Sequence, residues 1–277
     1  MAQRLDPREL RLRIMSAIAL GAIAIACLWF HPLSFAGLVA ALGVLMAWEW
    51  GRAVRGTEFD LSFWIHAIVV VGAVAAPFLL QSSILSWLAL AVGAAVVSFV
   101  AQPGTRTMSA IGVAYIGIPA VLVGWLRQDE EFGVTAILFV LVVVAAHDTF
   151  AMLTGKLVGG PRLWPLLSPN KTWSGVAGGL LASLLAGYLY GAGLAPPKSI
   201  AWFALLGLVL GIAGFAGDLA ESAFKRRYQI RHASGLIPGH GGILDRLDGL
   251  VGAIVVAALI GVVLNAQAPA RALLFYE

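Results

Sequence analysis

Apolar residues in this chain fall into long unbroken windows, with none of the sustained alternation of a half-buried strand. The windows lie near 12–30, 33–50, 62–80, 83–101, 109–126, 133–154, 173–194, 199–217 and 248–267. Each holds about 16–22 residues, close to the ~20 a helix needs to cross about 30 Å of hydrocarbon. The pattern predicts an all-α polytopic membrane helix bundle of about nine transmembrane spans, with residues 1–277 as a single integral membrane domain. The first window follows Arg4, Arg8, Arg11 and Arg13, the arrangement of a secretory signal. It is long, however, and runs into Phe30-His31-Pro32 rather than a small-residue cleavage site, so it is expected to be retained.

Composition agrees: 60% of residues are hydrophobic, and 9 Trp and 32 Gly suit membrane helices and their ends. The net charge of +4 would suggest nucleic acid for a soluble protein. Its distribution gives another account, and no nucleic-acid partner is expected. With an inside N-terminus, fifteen of the 18 Lys and Arg fall in inner segments; only Arg127, Lys198 and Arg271 fall outside. That is the positive-inside bias of an odd number of spans with a cytoplasmic N-terminus. The lone cysteine, Cys27, sits in an apolar run and reads as a small buried thiol.

The chemistry is concentrated in the C-terminal half, about 145–250. Asp148 interrupts an apolar run, so it either faces a polar cavity or is a satisfied carboxylate at a helix end. Ser168-Pro-Asn-Lys171-Thr172-Trp173 opens the seventh helix. Its hydroxyls, free N–H groups and lysine suit a phosphate, and equally a capped helix with an inside lysine. If the eighth span continues past Gly217, then Asp218, Glu221, Ser222 and Lys225 share one face at its end. Such residues can form solvated i,i+4 pairs, but acids directly continuing a membrane span point to function.

Beyond Arg231, Gly235, Pro238, Gly239, Gly241 and Gly242 preclude a helix and permit close backbone approach to a ligand. Asp245 and Asp248 then begin the last helix, where carboxylates also favour the dipole. Asp218, Asp245 and Asp248 brought together among Lys and Arg would suit Mg²⁺ and phosphate oxygens.

The run S-A-F-K-R-R-(x)₄-R-H-A-S-G-L-I-P-G-H-G-G-I-L-D-R-L-D, Ser222 to Asp248, closely resembles the signature of the CDP-diacylglycerol synthase (phosphatidate cytidylyltransferase) family. G-D-L-A-E-S, S-P-N-K-T-W and the nine-span layout look like the same family. The resemblance implies a membrane nucleotidyltransferase that joins CTP and phosphatidate, giving CDP-diacylglycerol and pyrophosphate for phospholipid synthesis, with Mg²⁺. It leaves open a second cation and a homodimer. Carried over, Asp218 and Asp245 would be metal ligands, and Asp248 a ligand or a supporting carboxylate. Lys171, Lys225, Arg226 and Arg246 would bind phosphates, and His240 with Gly239, Gly241 and Gly242 would form the nucleotide-side loop. Ser222, Arg231 and Asp148 complete the expected substrate contacts.

This chain has Arg231-His232 where the family usually has Lys-Asp, which removes a carboxylate. It has Asp148-Thr-Phe-Ala-Met152 where the family tends to D-x-G-A-Y. The expected setting is the bacterial inner membrane, with N-terminus and active-site loop cytoplasmic and the bilayer presenting the lipid substrate. The alternatives are a CTP-dependent lipid kinase of the polyprenol type and a non-catalytic relative. A transporter would scatter its charges at mid-span over several helices, and here they cluster at one face.

Overall fold

The computed structural model describes residues 7–194, 200–237 and 241–276. The order is α1 (Pro7–Phe30), α2 (Pro32–Arg55), α3 (Leu61–Leu79), α4 (Ser83–Val100), α5 (Arg106–Arg127) and α6 (Gly133–Leu157). A short antiparallel hairpin follows, β1 (Arg162–Trp164) with β2 (Ser168–Thr172). Then come α7 (Trp173–Leu194), α8 (Ile200–Arg227), α9 (Leu244–Leu264) and α10 (Pro269–Phe275).

Eight of these helices, α2 to α9, are long and apolar enough to cross a bilayer. In α1, 24 residues long, the described apolar part is Ile18–Phe30. Large apolar side chains stand exposed on the helix sides, among them Phe99 at 80% and Val263 at 83%. Hydrocarbon, unlike water, leaves such faces without penalty, and helices satisfy their own backbone there. The chain is a multi-pass helical membrane protein.

Contacts group the chain into two compact units: 1–125 with 228–246, and 126–227 with 247–277. In the first, Pro32 at the opening turn and Gly56 at φ +69° bound α2. Asp60 caps α3 through the Phe63 N–H at 2.8 Å and takes a two-point ion pair from Arg55, Nε–Oδ2 2.7 Å and Nη2–Oδ1 3.1 Å. Ala73, Leu90, Val97, Val113 and Val121 form an apolar core between α3, α4 and α5. The buried ring of His66 lies between the carbonyls of Ser62 (2.8 Å) and Ser109 (2.9 Å).

In the second unit, backbones approach through glycine. A Cβ added at Gly187 would lie 2.1 Å from the Phe203 carbonyl oxygen, and one at Gly207 2.4 Å from that of Ser183, so α7 and α8 pack almost backbone to backbone. Phe139, Tyr190 and Phe203 cluster their rings beside this contact. Trp202 Nε1 donates to the Leu273 carbonyl at 2.8 Å and ties down α10.

One local expectation changes. Ser168–Thr172 is a strand, not the opening of a helix, since Pro161 accepts the Trp173 N–H at 3.1 Å and closes the hairpin. The eighth helix does continue past Gly217, to Arg227, and the last span starts at Leu244.

Candidate active site

α8 is apolar until Ala216 and then carries Asp218, Glu221, Ser222 and Lys225 along one face. Lys225 Nζ lies 2.5 Å from Glu221 Oε2, an i,i+4 pair made where Glu221 is 3% exposed. Basic residues in this last turn also oppose the negative end of the helix dipole.

Glycines bring Asp248 of α9 against α8. A Cβ at Gly217 would stand 2.3 Å from the Asp248 carbonyl oxygen, and one at Gly252 2.3 Å from that of Ala213. Only a residue without a side chain fits either place, so the two backbones touch beside Asp218. As a result Asp218, Glu221 and Asp248 offer carboxylate oxygens all within 4.8 Å of one another.

Thr172 stops the hairpin and caps α7, its Oγ1 accepting the Gly175 N–H at 3.1 Å. Lys171 beside it points to α8: Nζ lies 2.5 Å from Asp218 Oδ2 and 5.0 Å from the centre of the Phe215 ring. The hexapeptide's hydroxyl is thus a cap, and its lysine meets a carboxylate. Arg226 Nε donates to the Leu167 carbonyl at 3.2 Å, joining the end of α8 to the hairpin turn.

Lys171, Thr172, Phe215 and Asp218 border a cavity of about 570 Å³, within the usual size of small-molecule sites. Asp148, Ser168, Asn170, Lys171 and Asp218 supply its polar wall; Ala151, Met152, Val176 and Phe215 supply the apolar one. His147, buried on α6, reaches the Ser183 hydroxyl at 3.3 Å and also borders the cavity.

The remaining expected residues belong to the first unit. Arg231 and Arg246 are exposed. Asp245, a metal ligand by the resemblance, accepts the N–H groups of Ala233 (3.1 Å) and Gly242 (2.9 Å) through Oδ2. His232 Nδ1 lies 3.7 Å from the same oxygen. The acid grouped with Asp218 and Asp248 is Glu221, to which the sequence reading gave no metal role. Gly241 adopts φ +85°, open to glycine at little cost, and its carbonyl accepts the Ile237 N–H at 3.0 Å. Gly239 and His240 lie outside the described residues.

The donor set fits a hard divalent cation. Three carboxylates converge, two of them balanced by ammonium groups, and all the candidate ligand atoms are oxygen.

Fold and site together define an integral membrane protein with a carboxylate–lysine centre built on the ends of its helices. The family model for the Cytidylyltransferase family matches residues 11–264, and the chain belongs to that family. It is similar to the phosphatidate cytidylyltransferase of Brucella abortus (strain 2308), 37% identical over 258 residues, which cover 92% of this chain and 94% of the relative. It is similar also to that of Haemophilus influenzae, 30% identical over 277 residues, 88% of this chain and 96% of the relative. A third match, to that of Bacillus subtilis (strain 168), is 36% identical over 143 residues, about half of each chain.

Proposed function

We propose that this chain is a membrane nucleotidyltransferase that converts CTP and phosphatidate to CDP-diacylglycerol and pyrophosphate. The observation that carries the reading is the convergence of Asp218, Glu221 and Asp248 with Lys171 and Lys225, in a chain of the Cytidylyltransferase family. A phosphatidate phosphate oxygen attacks the α-phosphorus of CTP. The new P–O bond forms as the bond from that phosphorus to the bridging oxygen breaks, and pyrophosphate departs. The nucleophile is already anionic, so no strong protein base is required; positioning and charge neutralisation supply the rate.

Asp218, Glu221 and Asp248 would hold a divalent cation, proposed as Mg²⁺, which would supply positive charge to the triphosphate oxygens. Lys171 and Lys225, now paired with carboxylates, would exchange those partners for substrate phosphates. Asn170, Ser168 and Phe215 line the cavity that admits the reacting groups. Arg231, Arg246, Gly241 and Gly242 belong to the nucleotide-side segment in this reading. The split of Lys and Arg along the sequence supports a cytoplasmic N-terminus and active-site loop, and the bacterial sources of the relatives suit a bacterial inner membrane.

The test is product analysis with purified protein, CTP, phosphatidate and Mg²⁺. CDP-lipid with pyrophosphate is the expected result. A phosphorylated lipid with CDP would instead mark a lipid kinase, and no turnover a non-catalytic relative.

A further inference from the structure

We propose that Glu49, near the end of α2, is the positioning residue for the segment between Arg231 and α9. It is fully buried, at 0% exposure, on an apolar helix, a costly place for a carboxylate. The cost is offset by donors from one segment. Oε1 accepts the Ser234 hydroxyl at 2.5 Å and the Ile243 N–H at 2.9 Å, and Oε2 accepts the Leu244 N–H at 2.7 Å. Ser234 Oγ in turn accepts the Leu236 N–H at 3.1 Å, so the order passes one step further into the segment.

Both ends of the segment are therefore tied to one side chain. The Ile243 and Leu244 donors are the open N–H groups at the start of α9, where a negative charge also meets the positive end of the dipole. Asp245 makes the complementary tie, holding Ala233 and Gly242 from its own side. Gly242 must be glycine for this to close, since a Cβ there would lie 2.6 Å from Glu49 Oε1. Two carboxylates thus staple the same two stretches, with the exposed Arg231 just before the first and Arg246 just after the second.

Glu49 touches no reacting atom. Its effect on catalysis runs through the segment it holds and rests on the nucleotide-side reading given above. A glutamine at 49 keeps the shape but turns one acceptor oxygen into an NH₂ donor. At least one of the three bonds is then lost, donor facing donor.

The experiment pairs hydrogen exchange by mass spectrometry with steady-state kinetics on the full chain in detergent, for wild type and Glu49→Gln. Exchange over 234–236 and 243–244 should quicken by about tenfold, as expected for losing a bond to a buried charge, while α6 to α8 keep their rates. The kcat/KM for CTP should fall by about tenfold or more, with the KM for phosphatidate within about twofold of wild type. Unchanged exchange in the segment overturns the proposal, and so does faster exchange with unchanged CTP kinetics. If wild type itself does not turn over CTP, the functional reading fails and the exchange arm still decides the staple. Should Glu49→Gln not fold, Ser234→Ala removes the hydroxyl's bonds to Glu49 and from Leu236, and should quicken exchange at Ile243, which shares only Glu49 with it, by about threefold; an unchanged rate there overturns the proposal.

Discussion

Gly217→Ala tests whether the acid cluster depends on backbone contact between α8 and α9. The added methyl would sit 2.3 Å from the Asp248 carbonyl oxygen and 3.2 Å from both its carbonyl carbon and the Gly252 nitrogen. All three are backbone atoms, so no side chain can swing away. Restoring ordinary contact needs the helices to part by about 1 Å. Overpacking of this kind costs about 1–3 kcal/mol of stability. The larger effect falls on the site, because Asp218 neighbours the substitution on α8 and Asp248 is the residue struck on α9. Mg²⁺ demands near-ideal octahedral geometry, and a misplacement of about 1 Å can cost about a hundredfold in rate. The expected loss in kcat/KM is therefore about a hundredfold, or about 2.7 kcal/mol, together with a rise in the Mg²⁺ needed for half-maximal rate. Gly249→Ala is the matched control on α9: its methyl would meet Gly214 oxygen at 3.5 Å and Val144 Cγ1 at 3.7 Å, ordinary contacts. It should stay within about threefold of wild type. Equal activity in the two variants, or equal loss, would refute the packing account.

Two further outcomes are expected. Burial alone would raise the Asp60 carboxyl, but its hydrogen bond from Arg55, the Phe63 N–H, the Arg55 charge and the Thr57 hydroxyl together hold it below its ordinary value. Its stabilisation is present above about pH 4 and lost as pH falls through the lowered folded value. Asp60→Asn should accordingly lower the Tm in detergent at pH 7 while narrowing the gap from wild type in acid; a gap that stays constant with pH would contradict the ion pair's role. For the orientation, single cysteines at Gly235 and Gln267, in a Cys27→Ser background, should label from opposite sides of the membrane, the first from the cytoplasm. Labelling of both from one side would remove α9 as a crossing helix.

The fold was legible because lipid imposes a simple rule: about 20 apolar residues per span, with backbone bonds satisfied within each. Windows such as 62–80 and 173–194 match α3 and α7 closely. The apolar count could not find the ends of α8 and α9, where helix continues into the polar segment. Spacing alone put Asp218, Glu221 and Lys225 on one face, and that face exists. The i,i+4 pair of Glu221 with Lys225 was one of two possibilities and is present; the nearness of Glu221 to Asp248 depends on Gly217 and Gly252, whose contacts cross between helices and leave no local trace. The role of Asp245 came from the resemblance; its bonds to the Ala233 and Gly242 N–H groups depend on a loop fold that spacing does not encode. Glu49 was not found at all. It sits among Trp and Ala in the second window, and its donors lie 185 to 195 residues further along the chain. A buried acid in a membrane helix was the signal that could have marked it.

The most direct measurement is a Mg²⁺ titration of CDP-diacylglycerol formation by wild type, Asp218→Asn, Asp248→Asn and Glu221→Gln, each checked for folded yield in detergent. If the three carboxylates hold the cation, every variant should need at least about tenfold more Mg²⁺ for half its maximal rate, or lose turnover altogether. A Glu221→Gln protein that titrates like wild type, while Asp218→Asn does not, would contradict the three-acid centre on which the account stands.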